Sequence, residues 1–163
     1  MKLCNIFLLI IATFICYFLN SCGTQQVGGN FTYESECLGV ALDGSQTIKS
    51  WGQGRNYLKA IEQAKKNAVR DVLFKGINKG TNECNPRPLV PEVNAQEKYE
   101  RYFNSFFSDK GAYTKFVSSK DESLRSKTNS RVATTENGVV VGVVVRVLRD
   151  DLKNHLYRQE ILK

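Results

Sequence analysis

The sequence predicts an α+β fold: a lipoprotein signal peptide followed by a single two-layer domain, whose mainly antiparallel sheet of three or four strands is packed by a long helix and shorter helices. Three observations lead to this prediction. Residues 55–79 repeat apolar side chains at a helical period, an Asn-Gly pair at residues 137 and 138 is typical of a tight hairpin, and a valine-rich strand follows that pair. A short strand, a long helix, antiparallel strands and a terminal helix, in this order, make an α+β sandwich.

The N-terminal segment predicts an exported, lipid-anchored protein. Lys2 precedes a nearly unbroken apolar run over residues 6–19, which has the length of a signal-peptide core and is shorter than the roughly 20 residues that span a bilayer. The stretch Leu19-Asn20-Ser21-Cys22 resembles the lipobox of bacterial lipoproteins, in which the cysteine is diacylated and the chain is cut just before it. The alternative is an ordinary transmembrane anchor with an incidental cysteine.

This interpretation divides the chain into a signal peptide at residues 1–21, a lipidated flexible tether at residues 22–33 and one domain at residues 34–163. In Gram-negative lipoproteins, which this segment resembles, an aspartate after the cysteine favours retention at the inner membrane. Gly23 occupies that position here. The resemblance therefore implies an outer-membrane lipoprotein that faces the periplasm.

The charge balance is basic, with 23 Lys and Arg side chains against 16 Asp and Glu. A basic chain often indicates nucleic acid as the partner, but an exported lipoprotein rarely meets any. We therefore expect no nucleic acid, and an acidic partner, anionic lipid or a merely solvated surface is the better explanation of the charge. About 140 residues after the signal peptide are enough for one domain with a sizeable core.

The cysteines predict one disulfide. Cys4 and Cys16 would leave with the signal peptide, and Cys22 would carry the lipid. Cys37 and Cys84 then remain as an even pair in an oxidising compartment. If the first helix packs back across the first strand, its C-terminal end returns near Cys37 and brings Cys84 within bonding distance. Two unpaired thiols are the alternative.

Three helices are predicted, over residues 55–79, 92–108 and 150–161. In the first, alanines at four-residue spacing would let the helix lie close on a sheet, and these are Ala60, Ala64 and Ala68. The second carries an aromatic stripe at helical spacing, formed by Tyr99, Tyr102, Phe103, Phe106 and Phe107. Such a stripe is either core packing or a face on which a partner docks.

The strands are predicted over residues 36–42, 112–118, 131–136 and 139–148. Counting from an Asn-Gly turn, Thr134 would face Val141 and Val132 would face Val143. Valines on both faces predict that the last strand is central, and Gly142 would admit a close helix. Residues 43–54 are interpreted as a polar loop around Trp51, the only tryptophan.

These elements resemble those of a known family. The stretches ECLGVALDG, NYLKAIEQAKKNAVRDVL and TTENGVVVGVVVRVLRDDL are similar to the small LPP-twenty outer-membrane lipoproteins, whose domain also resembles the N-terminal domain of the flagellar FlgT protein. The likeness covers roughly residues 36–80 and 110–156, and the aromatic and proline-rich residues 82–107 depart from it. The resemblance implies envelope scaffolding or assembly, with no catalytic residues to transfer.

No pattern in the sequence predicts an enzyme, a cofactor or a metal site. His155 is the only histidine, and a zinc site needs more ligands than remain. Glu97 and Glu100 could share a helical face, but nothing predicts the raised pKa that paired catalytic carboxylates need. Gly52 and Gly54 lack the Lys-Ser/Thr ending of a phosphate-binding loop.

Two functions stay open. One is an accessory or scaffold lipoprotein that binds other envelope proteins through Trp51, Tyr99, Tyr102 or Phe106, and is held at the membrane by its N-terminal lipid. The other is a module that binds glycan or peptidoglycan through the same aromatic side chains and basic loop residues.

Overall fold

The computed structural model describes residues 33–118, 132–135 and 138–163, and only the backbone of residues 132–135. The predicted signal peptide, most of the tether, the lipidation site Cys22 and the turn residues Glu136 and Asn137 lie outside this part of the chain. The described strands are β1 (Glu36–Val40), β2 (Gln46–Gly54), β3 (Lys79–Gly80), β4 (Val117–Ser118), β5 (Val132–Thr135) and β6 (Gly138–Val147).

The six strands form one mixed sheet in the order β3-β1-β2-β6-β4, and β5 also pairs with β6. The prediction of an α+β fold is confirmed. The prediction of a mainly antiparallel sheet of three or four strands is wrong, because β3 pairs in parallel with β1 and because β2 was assigned to a loop. β3 and β4 have two residues each, which is too short for a period-2 pattern to show in the sequence.

Strand β2 replaces the predicted loop around Trp51. It pairs antiparallel with β1 on one side and with β6 on the other, over nine residue pairs with β6. Its side chains alternate, so that Gln46, Ile48 and Ser50 are buried while Thr47 and Lys49 are half-buried. The polar and glycine-rich composition of these residues does not predict a strand. The strand is stabilised by its backbone hydrogen bonds to β1 and β6.

Four α-helices are described: α1 (Tyr57–Arg70), α2 (Ala95–Lys98), α3 (Glu100–Phe106) and α4 (Arg149–Arg158). Asn56 caps α1, since its side-chain oxygen accepts a hydrogen bond from the Lys59 N–H at 3.0 Å. The predicted helix over residues 92–108 is divided into two, because the backbone of Tyr99 is not helical. The predicted strand over residues 112–118 is mostly a 3₁₀ helix, Ala112–Phe116.

Helix α1 ends at Arg70, before the predicted end at residue 79, and contacts with a later segment of the chain explain the difference. A π-helical turn, Asp71–Lys75, follows α1 and closes at Gly76, whose N–H donates to the Asp71 carbonyl at 2.7 Å. The carbonyls of Val72 and Leu73 instead accept hydrogen bonds from the N–H groups of Leu89 and Val90, at 3.0 and 2.8 Å. The proline-containing segment around Leu89 and Val90 thus donates to carbonyls that would accept hydrogen bonds within a longer α-helix.

Helix α1 packs across β2 and β6 on one face of the sheet. Ala60, Ala64 and Ala68 are fully buried in this contact, which confirms their predicted role. A Cβ atom on Gly52 would lie 2.2 Å from both the Ala60 carbonyl oxygen and the Ala64 nitrogen. The glycines of β2 therefore admit the helix backbone and do not form a phosphate loop.

Strand β6 is central, as predicted, because β2 pairs on one side and β4 and β5 pair on the other. The predicted hairpin with β5 is confirmed, but its register is shifted by two residues, so that Val132 pairs with Val141 and Thr134 with Val139. A shift by an even number of residues leaves the predicted alternation of side chains along β6 unchanged. Gly138 has a φ of 136° and lies close to the Gly54 carbonyl, an approach that a Cβ atom would block.

Cys37 and Cys84 form the predicted disulfide, with Cα atoms 5.9 Å apart. The parallel pairing of β1 with β3 places Gly80 beside Cys37. A Cβ atom on Gly80 would lie 2.1 Å from the Cys37 carbonyl oxygen. The chain therefore returns to the first strand after α1, and Cys84 follows four residues later.

Candidate functional site

The face of the sheet opposite α1 carries Trp51. Residues alternate along β2, so Ser50 and Gly52 point towards α1 while Lys49 and Trp51 point away from it. The pairing of Trp51 with Gly142 puts both residues on the same face. We call the surface formed by Tyr33, Lys49, Trp51 and Gly142 the Trp51 face.

The indole ring of Trp51 lies against Gly142. A Cβ atom at position 142 would be 2.9 Å from Trp51 Cζ3 and 3.0 Å from Cε3 and Cη2. The prediction that Gly142 admits a helix is therefore wrong, since this glycine accommodates a side chain on the other face. The Trp51 carbonyl accepts a hydrogen bond from Asn67 Nδ2 at 2.8 Å, which holds β2 to α1 behind the ring.

Two further side chains hold the indole in place. The ring of Tyr33 stacks on Trp51 with centroids 4.6 Å apart and planes 25° apart. Lys49 Nζ lies 5.3 Å from the centroid of the Trp51 ring, within the distance of a cation–π interaction. Tyr33 itself is 42 % exposed. The Trp51 face is thus an accessible, pre-organised aromatic surface with a positive charge beside it.

Apolar side chains are also exposed on the strand next to β2. Leu38, Val40 and Leu42 lie on β1 and directly after it, and each is more than 40 % exposed. Single exposed apolar residues are normal, but several on one edge of a sheet are typical of an interaction surface. These residues are absent from the predicted binding residues, because the short apolar run over residues 36–42 predicts only a strand.

The aromatic stripe of the predicted second helix belongs mainly to the core. Phe103, Phe106 and Phe107 are buried. Phe106 is 2 % exposed and packs against Phe116, so its side chain contributes to the core and offers little surface to a partner. The elements α3, α4 and the 3₁₀ helix enclose it.

The two tyrosines of the stripe are half-buried. The Tyr102 ring packs edge-on against Phe103 and stacks with Phe106, and burial raises the pKa of Tyr102 to about 12. Tyr99 lies beneath the ammonium group of Lys98, at 5.1 Å. Both pack against the core, which leaves Trp51 as the best placed of the four predicted partner-binding residues.

His155 lies in the same aromatic cluster. Its ring centroid is 5.0 Å from that of Phe116 and 6.2 Å from that of Phe106. Burial lowers the pKa of His155, and the charges of Arg158 and Lys115 lower it further. The imidazole is therefore a neutral packing group at neutral pH. Among the described residues, no group of three His, Cys, Asp or Glu side chains is arranged to hold a metal ion.

A groove of about 590 Å³ lies beside α3. Its lining combines two phenyl rings with five polar side chains, namely Arg70, Gln96, Glu97, Glu100, Phe103, Asn104 and Phe107. We call it the Arg70–Asn104 groove. The spacing of Glu97 and Glu100 predicts a shared helical face, but nothing in the sequence indicates that Arg70, at the end of α1, lines the same groove.

A smaller polar cavity of about 250 Å³ lies at the other side of the end of α1 and is bordered by Ser35 and Asp71. The Ser35 hydroxyl donates to Asp71 Oδ2 at 2.6 Å and lies 3.2 Å from the Ser50 hydroxyl. Burial raises the pKa of Asp71, while the hydrogen bond from Ser35 opposes that shift. This chain of hydrogen bonds joins the segment before β1 to β2 and the end of α1.

No protein-family model, curated protein or solved structure matches the chain. Within residues 33–118, 132–135 and 138–163, none of the helices has the length and apolar character needed to cross a bilayer.

Proposed function

We propose that the protein is a lipoprotein of the outer membrane, acylated at Cys22 after removal of residues 1–21 and facing the periplasm. The sequence Leu19-Asn20-Ser21-Cys22 supports the anchor, and the disulfide between Cys37 and Cys84 suits an oxidising compartment.

The role that the geometry supports best is that of an accessory or scaffold component of an envelope assembly. The observation that carries this proposal is the Trp51 face, where Gly142, Tyr33 and Lys49 hold a single indole in one position. Rigid aromatic side chains that lose little entropy on binding are typical centres of protein–protein interfaces. Lys49 beside the ring favours a partner with an acidic rim, and the role requires no catalytic group.

The lipid anchor is tested by Cys22→Ser. This variant should lose incorporation of labelled palmitate and leave the membrane fraction, because no other residue is expected to carry the lipid. Cys16→Ser is the matched control. It should leave palmitate incorporation and membrane association unchanged, since residue 16 belongs to the segment that we expect to be removed. Palmitate incorporation that persists in Cys22→Ser would rule out acylation at this cysteine.

The docking role is tested by photo-crosslinking in intact cells. Gln53 is exposed and lies two residues beyond Trp51 on the same face of β2, so a photoreactive residue at position 53 should give a discrete protein adduct. The same residue at position 154, on the exposed side of α4, serves as the control.

Trp51→Ala should abolish the adduct from position 53, because it removes the side chain that we expect at the centre of the interface. The folded state of this variant is checked by its circular dichroism. An adduct that survives Trp51→Ala, or equal adducts from positions 53 and 154, would contradict docking through the Trp51 face.

A further inference from the structure

We infer that the Arg70–Asn104 groove is a binding site for a neutral saccharide. The groove lies beside α3, whereas the Trp51 face lies on the sheet surface opposite α1, so this inference does not depend on the proposed docking role. Its volume of about 590 Å³ falls within the roughly 300–1,000 Å³ of small-molecule sites and is large enough for a disaccharide.

The charges of the groove disfavour a small anion as its ligand. Glu97 and Glu100 are negative and outnumber the single positive charge of Arg70 in the lining, so a small cation is the competing ligand that the test must include. None of these three side chains forms an ion pair within the described part of the protein. A ligand that carries no net charge but has many polar groups can contact charges of both signs.

The hydrogen-bonding groups match hydroxyls. Arg70 offers only donors, the carboxylates of Glu97 and Glu100 offer only acceptors, and the amides of Gln96 and Asn104 offer both. Each sugar hydroxyl both donates and accepts, so it is satisfied by such a mixture. Asn104 Nδ2 already donates to Glu100 Oε1 at 3.3 Å, which orients the amide and the carboxylate together.

The groove also offers a small apolar area to a sugar. Phe103 and Phe107 line it and are 4 % and 9 % exposed, and the Arg70 guanidinium lies over the Phe107 ring, 5.1 Å from its centroid. The C–H groups on one face of a pyranose ring are apolar, so they gain from contact with phenyl rings while the hydroxyls reach the polar rim.

The test is a titration of the full-length protein, kept in a detergent without a sugar headgroup, with three probes. These are N,N′-diacetylchitobiose, cellobiose and the polyamine spermidine, and binding is followed by calorimetry and by saturation-transfer NMR. At least one disaccharide should bind, with its ring protons saturated by the protein. Spermidine should bind more weakly than that disaccharide.

Asn104→Ala should weaken disaccharide binding by about tenfold, the equivalent of about 1.4 kcal/mol, because it removes a donor and an acceptor from the rim. Asn154→Ala is the matched control, since Asn154 is also an exposed asparagine on a helix, and it should leave the affinity unchanged. Asn104 is exposed as well, so its replacement should preserve the fold.

Three outcomes would overturn the inference: no binding of either disaccharide, equal losses in the two asparagine variants, or a preference for spermidine, which would indicate a cation site. None of these outcomes bears on crosslinking from position 53, and the absence of a crosslink there would not affect the saccharide titration. Failure of one proposal is therefore distinguishable from failure of the other.

Discussion

On the face of the sheet that α1 covers, Gly52 and Gly54 let two backbones approach each other, whereas on the Trp51 face Gly142 makes room for an indole ring. The first contact is between main-chain atoms, which have little freedom to move away. The second is between a glycine and a side chain that can rotate. The same residue type thus supports the core on one face and shapes a surface on the other, and substitutions should cost more on the covered face.

Loss of the disulfide should have the largest effect on stability, because it ties β1 to the segment that follows β3. Cys84→Ser opens a loop whose ends are 47 residues apart, and it should lower the free energy of unfolding by about 4 kcal/mol on the chain-entropy estimate. Urea denaturation measures the change. Addition of a reductant to the wild type is the control, and an unchanged midpoint in reductant would contradict the prediction.

Gly52→Ala should be the next most damaging change. Its Cβ atom would lie 2.2 Å from main-chain atoms of Ala60 and Ala64, so α1 must shift away from β2 at a cost of about 3 kcal/mol. Gln53→Ala, which alters an exposed side chain on the other face, should change the free energy of unfolding by no more than about 0.5 kcal/mol. Equal effects of the two substitutions would remove the distinction between the faces.

Gly142→Ala should cost less, about 1 kcal/mol, because the Trp51 ring can rotate away from the new methyl group. The only tryptophan reports this movement directly, so the emission of the folded protein should shift to longer wavelength as the ring becomes more exposed. In a Trp51→Ala background, the same substitution should have no destabilising effect. An unchanged emission spectrum in Gly142→Ala would show that the ring does not rest on Gly142.

His155, which packs in the aromatic cluster beside Phe106 and Phe116, should give the smallest effect. Its pKa is lowered in the folded state, so the folded protein binds a proton less readily than the unfolded chain does. The stability that the neutral ring contributes is therefore present above the ordinary pKa of 6.5 and is lost as the pH falls below it.

The measurement is the melting temperature between about pH 7.5 and 5.5. It should fall over this range in the wild type and fall less in His155→Phe, which keeps an aromatic ring against Phe116 and removes the titration. Parallel pH profiles of the two proteins would mean that protonation of His155 does not destabilise the folded protein.

The sequence by itself determined the features that depend on local period or on elimination. The spacing of Ala60, Ala64 and Ala68 predicted the face of α1 that is buried, and the removal of three cysteines from consideration left Cys37 and Cys84 as the pair. The valines of β6 predicted a central strand correctly, because a strand buried on both faces must be apolar at odd and even positions alike.

Tertiary structure decided what depends on a distant neighbour. Residues 46–54 form a strand because β1 and β6 satisfy their backbone groups, although their own composition resembles a loop. A glycine in a sequence does not reveal whether a helix or an indole will lie beside it, so the predicted helix contact of Gly142 is wrong and the actual helix contact of Gly52 was not predicted. The same holds for the aromatic stripe and the groove. Residues distant in the sequence, Phe116 and His155, enclose Phe106, and only the folded chain brings Arg70 and Glu97 to one groove.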